Sequence, residues 1–133
     1  MLNIKKIDHI AIVTNNIQKS IIFFANLGLK CKKIETLLNR GIKVAFINIG
    51  NIEIELISSI YDNSEISDFL KHKGPGLHHI AFETTNILSD TYNLQNYGIK
   101  LVLDKPQKGA ANSKINFIHP QSSGKVLIEL LEK

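Results

Sequence analysis

A chain of 133 residues with 44% apolar content is long enough to bury one core of ordinary domain size and too short to need a second. Its net charge of +4 comes from lysines spread along the chain instead of gathered beside aromatics, which argues against nucleic-acid binding and suits an anionic small molecule. Cys31, the single cysteine, excludes an internal disulfide framework. With no apolar signal core and no run of membrane-spanning length, the expectation is a cytoplasmic protein without a membrane partner.

Residues 7–13 alternate and are rich in isoleucine and valine, which predicts a strand carrying His9 on the face of Ile7, Ala11 and Val13. The cluster Thr14-Asn15-Asn16 supplies a cap, apolar residues recur at helical spacing from Ile17, and Gly28 closes the turn, so a helix is expected over about 17–27. Residues 30–36 predict a short edge strand, Asn39-Arg40-Gly41 a turn, 42–49 a strand, Gly50-Asn51 a tight turn and 52–57 a further strand. A capped connecting helix is expected from Ser64, stopped by Lys73-Gly74-Pro75-Gly76. The second half repeats the order, with a strand at 77–84, a helix at about 87–97 and strands at 99–103, 114–118 and 125–131. The segment 104–113, containing Pro106 and Gly109, is long enough for a ligand loop.

The expected fold is therefore α+β, a single domain over 1–133 built from two tandem βαβββ modules, 4–60 and 76–133, joined by a connecting helix at 64–73. Side by side, the modules would form one curved eight-stranded mixed sheet around a metal-binding cleft, with helices on the convex side.

The repeat itself carries the functional argument. Aligning His9 with His79 sets an offset of 70 residues, which also pairs Thr14 with Thr84, Asn16 with Asn86, Ile17 with Ile87 and Gly28 with Gly98. Two copies at this spacing make a duplicated domain and not a solenoid. Each copy ends in a strand holding a carboxylate, Glu55 in the first and Glu129 in the second. Two imidazoles and two carboxylates in equivalent places form a nitrogen and oxygen donor set for a divalent metal such as cobalt, manganese, iron or zinc.

A lone strand histidine is more often a packed core residue, and a strand glutamate more often faces water. Four ionisable groups on apolar strands, however, carry a heavy desolvation cost unless paired or bound to an ion. Glu53 shares the face of Glu55, yet Leu127 stands at its place in the second copy, so Glu55 is preferred. His78 points away from His79, His72 suits a helix end, and His119 before Pro120 is open between an outer partner of the ligands and a substrate contact.

The paired Asp8-His9-Ile10-Ala11 and His78-His79-Ile80-Ala81, each followed by a βαβββ pattern, resemble the vicinal oxygen chelate superfamily, the glyoxalase and bleomycin resistance group. Within it the chain is most similar to the methylmalonyl-CoA epimerase family. That likeness rests on Gly76-Leu77-His78-His79-Ile80-Ala81-Phe82, the connecting segment Ser64 to Leu70, Gly109-Ala110-Ala111-Asn112-Ser113-Lys114-Ile115, and Phe117-Ile118-His119-Pro120 leading to Gly124 through Leu130, and it covers essentially the whole chain.

The resemblance implies a metal-dependent isomerase that interconverts the C2 epimers of methylmalonyl-CoA through an enolate. It implies a divalent ion, often cobalt, at the positions of His9, Glu55, His79 and Glu129, with glutamine at the position of Glu55 in some relatives, and a homodimer. Some relatives also carry a glutamate at the position of Val44, where valine cannot move a proton. A metal acting as a Lewis acid beside the developing enolate fits this chemistry, and Glu129 is the first candidate for moving the proton. The second carrier is open among water, Glu55 and a residue of the 104–113 loop. Lys105, Lys108 and Lys114, with His119, are candidate contacts for the acyl-CoA, although loop lysines are more commonly just solvated. Competing readings are a glyoxalase-type lactoylglutathione lyase and a non-catalytic small-ligand-binding member of the superfamily.

Overall fold

The computed structural model describes residues 1–133. In chain order the elements are β1 (Ile4–Val13), α1 (Ile17–Asn26), β2 (Cys31–Leu37), β3 (Ile42–Ile49), β4 (Ile52–Ser59), α2 (Ser67–Lys73), β5 (Gly76–Thr84), α3 (Ile87–Asn96), β6 (Gln107–Lys108), β7 (Lys114–Ile118) and β8 (Ile128–Glu132). Short 3-10 turns occupy Leu38–Arg40, Ala110–Asn112 and Pro120–Ser122. The expected eight-stranded sheet is present, hydrogen-bonded in the order β2-β3-β4-β1-β5-β8-β7-β6. It is mixed: β1 runs parallel to β4 and β5 to β8, whereas β2/β3, β3/β4, β6/β7 and β7/β8 are antiparallel.

By internal contacts the chain divides into two units, His9–His78 and a second made of Met1–Asp8 with His79–Lys133. In the first, Asn16 caps α1 by accepting from the Lys19 N–H at 3.0 Å, and Gly28 at φ 87° lets the Leu29 N–H return to Phe24 O at 2.9 Å. Between these stops, Ile17, Ile21 and Phe24 pack on Ala45 and Ile47 of β3 and Leu56 of β4. Strand alternation therefore sends the odd-numbered side chains of β1 and β4, His9, Ala11, Glu53 and Glu55 among them, to the face turned away from α1.

The second unit is built by the same rules. Asn86 caps α3 by accepting from the Ser89 N–H at 3.0 Å, Gly98 has φ 77°, and the Ile99 N–H returns to Leu94 O at 3.0 Å. Ile87 and Leu94 pack on Leu130, with Phe82 and Ile118 alongside, while Ala81, Ile115, Leu131 and Phe117 form a separate cluster on the other face of the sheet. The start of the chain is fastened here: buried Asp90 on α3 accepts from the Asn3 backbone N–H at 2.9 Å and side-chain amide at 2.8 Å, and from the Thr84 hydroxyl.

Three sequence expectations need correction. Residues 99–103 form no strand. Leu101 makes one bridge to Ile118, but the Leu103 N–H and C=O are both taken by the side-chain amide of Asn116, which is 0% exposed, so at Leu103 a side chain replaces the ladder. The edge position falls to the two residues of β6. The last strand begins at Ile128 instead of 125, because Lys125 has φ 70°, a conformation no strand residue adopts. The connecting helix starts at Ser67, not at Ser64: the Ser64 hydroxyl pairs with those of Ser59 and Ser67, and the cap position, Ile66, has no side chain able to accept.

Candidate metal and active site

Each unit contains one buried histidine set beside one buried glutamate. In the first, His9 Nδ1 lies 3.0 Å from Glu55 Oε2, with the two residues 3% and 7% exposed. In the second, His79 Nε2 lies 3.0 Å from Glu129 Oε2, at 7% and 5%.

The register explains the repeat. Parallel pairing of β1 with β4 sets Ala11 beside Glu55, and that of β5 with β8 sets Ala81 beside Glu129. Each carboxylate thus stands beside the residue two positions beyond its histidine, on the same face, and the intervening small alanine leaves space for the two polar side chains to meet. The rings differ in one respect, His9 turning Nδ1 and His79 Nε2 to the carboxylate.

These residues suit a divalent ion. Two ligand atoms about 2.1 Å from one ion and at right angles about it lie roughly 3.0 Å apart, the separation found in both pairs. Neutral imidazole nitrogen with carboxylate oxygen is a donor set for cobalt, manganese, iron or zinc. Each imidazole nitrogen lies beside its carboxylate, so neither buried carboxylate stands alone in an apolar setting.

Other sequence candidates fall outside these pairs. Glu53, on the same face as Glu55, meets Lys32 Nζ at 2.6 Å near the surface. His78 stacks edge-on against Phe69 at 4.8 Å, and His72 Nδ1 lies 2.7 Å from Asp68 O within α2. The His119 Nδ1 accepts from the Gln121 N–H at 3.1 Å, which caps the turn at Pro120–Ser122. Lys105 lines a recess with Val102, Leu103, Asp104, Pro106 and Gln107, and Lys114 is exposed at the start of β7. Val44 is buried in β3, between Glu35 of β2 and Ile57 of β4.

Sequence reasoning missed Phe117. Its ring stands edge-on to the His79 imidazole, with centroids 5.5 Å apart and planes at 84°, and its backbone pairs with Glu129. The Phe117 N–H donates to Asn116 Oδ1 at 2.7 Å, and its carbonyl accepts from the Val102 N–H at 2.8 Å. The available signal was period-two alternation, which puts Phe117 on the face of Ile115.

Comparison with known proteins bears on the family and the fold. The model of the Glyoxalase/Bleomycin resistance protein/Dioxygenase superfamily matches residues 8–117. Human mitochondrial methylmalonyl-CoA epimerase is 33% identical over 130 residues, 96% of this chain and 74% of that protein. The crystal structure of methylmalonyl-CoA epimerase from Mycobacterium tuberculosis matches with a TM-score of 0.94 and 30% identity, covering 99% of this chain and 90% of that one. A methylmalonyl-CoA epimerase solved in complex with methylmalonyl-CoA and NH4+ matches at 0.92 and 28%, covering 98% and 95%. Sharing its fold and about 30% of its residues with these enzymes over nearly its whole length, the chain belongs to the glyoxalase/bleomycin resistance protein/dioxygenase superfamily.

Proposed function

We propose that the chain is a metal-dependent epimerase that interconverts the (R) and (S) forms of methylmalonyl-CoA by removing the C2 proton and returning it to either face. The observation that carries this reading is the twice-built, buried histidine and glutamate pair, set in a fold shared with methylmalonyl-CoA epimerases. In this reading His9, Glu55, His79 and Glu129 are the ligands of a divalent ion, cobalt by preference.

The C2 proton lies between a thioester and a carboxylate, so its loss leaves an enolate. When bound, the ion supplies positive charge beside that enolate. Glu129 moves the proton, its carboxylate held by the imidazole of His79. Ala81, Ile115 and Leu131, on the face that carries Glu129, keep water from competing for it. Phe117 fixes the plane of the His79 ring, so that its nitrogen stays aimed. Lys105, Lys114 and His119 contact the coenzyme A portion. In this reading the protein acts in the cytoplasm as a homodimer.

Proton exchange tests the assignment. In heavy water with added cobalt, the protein is expected to place deuterium at C2 of methylmalonyl-CoA. Absence of that exchange, with lactoylglutathione formed instead from methylglyoxal and glutathione, overturns the substrate assignment in favour of a glyoxalase. A protein that catalyses neither, with or without metal, is a binder.

A further inference from the structure

We infer that Asn116 is a positioning residue for His79: it fixes the backbone of Phe117, whose ring stands against the imidazole, and so sets the aim of a metal-binding nitrogen. This rests on the metal-binding reading of His79 and Glu129 above.

The first observation is the amide itself. Asn116 is 0% exposed, and a side chain so placed costs free energy unless its polar atoms are paired. Its Nδ2 donates to Leu103 O at 3.1 Å, and its Oδ1 accepts from the Leu103 N–H at 3.2 Å and from the Phe117 N–H at 2.7 Å. The amide thus ties Leu103, at the head of the 104–113 segment, to Phe117.

The second observation is what stands at the same place in the first unit. The register there sets Phe46 opposite Glu55 and Ala45 opposite Leu56, and in the second unit it sets Phe117 opposite Glu129 and Asn116 opposite Leu130. Asn116 therefore takes the place of Ala45. In the first unit β2 runs along that edge, with Ile34 opposite Ala45 and Lys33 opposite Phe46, so backbone pairs with backbone and an alanine suffices. In the second unit β6 reaches only Ile115 and Lys114, and a lone bridge joins Leu101 to Ile118. Between those points the Phe117 carbonyl takes the Val102 N–H at 2.8 Å and the Phe117 N–H goes to Asn116. The asparagine does for Phe117 what a strand does for Phe46.

The last link is the ring. Phe117 meets the His79 imidazole edge-on with centroids 5.5 Å apart, and His79 Nε2 lies 3.0 Å from Glu129 Oε2. A phenylalanine has two side-chain torsions, so a fixed backbone leaves its ring few places to stand. An imidazole free to swing offers its nitrogen to an ion for less of the time, which is why groups that orient ligands are worth about ten- to a hundredfold in metal affinity.

The test is cobalt titration, read by the visible absorption of the bound ion, in wild type, Asn116→Leu, Phe117→Leu, the double variant and Asn86→Ala. Each single variant at 116 or 117 is expected to weaken binding about tenfold and to shift the absorption band. The double variant is expected to bind no more weakly than either, since both changes cut one chain of contacts. Asn86→Ala loses the cap of α3 and some stability, and is expected to keep wild-type affinity and band, which separates aim from stability. Wild-type affinity and band in Asn116→Leu, or losses that add in the double variant, overturn the inference. Should Asn116→Leu not fold, Asn116→Ser is read in its place, and an unaltered affinity in Phe117→Leu overturns the inference by itself. A wild type that binds no cobalt ends the metal reading and this inference with it, whereas a wild type that binds cobalt no better than the 116 and 117 variants ends this inference alone.

Discussion

At His79 two contacts meet on one ring: the carboxylate of Glu129 at 3.0 Å and the ring of Phe117, edge-on at 5.5 Å. Removing the imidazole takes away a donor atom without disturbing the α3 core on the other face of the sheet. His79→Ala is therefore expected to keep its far-ultraviolet circular dichroism while losing bound metal and turnover. Glu129→Gln keeps the shape and removes the proton acceptor, so turnover is expected to fall about a hundredfold or more, read by deuterium exchange at C2. The repeat made these residues legible: it chose Glu55 over Glu53, which the structure finds paired with Lys32. Phe117 was not legible, because an aromatic side chain within an alternating apolar strand looks like ordinary core until the ring beside it is known.

The helices show which parts of an element can be seen in advance. Asn16 and Asn86 make the same cap at the same spacing, and each substitution to alanine is expected to cost about 1 kcal/mol in urea denaturation. One turn later the copies diverge. Thr14 Oγ1 meets the Ser20 hydroxyl at 2.6 Å, whereas Thr84 meets the carboxylate of Asp90, which also takes both donors of Asn3. Asp90→Ala strands the buried Thr84 hydroxyl and unfastens Asn3, and is expected to cost roughly 3 kcal/mol, well above Ser20→Ala. Cap, apolar stripe and closing glycine are local and periodic, so α1 and α3 were predicted nearly to the residue. The stretch 99–103 was not, because both backbone groups of Leu103 are taken by Asn116, thirteen residues on, and a side-chain bond of that length leaves no period in the sequence.

On the scale of the whole molecule, the proposed chemistry rests on duplication. A single module supplies one imidazole and one carboxylate, too few to hold a labile divalent ion tightly, and the second copy supplies the same set again. Histidine and glutamate recur because alternation places both on the sheet face opposite each helix, which is also why a sequence with no ligand in view could point to a metal. Metal content per chain after cobalt loading and gel filtration tests this claim most directly. About one ion per chain is expected in wild type, and none is expected in either His9→Ala or His79→Ala, since each variant breaks one half of a shared set. Two ions per wild-type chain, or a full ion retained by either variant, would contradict it.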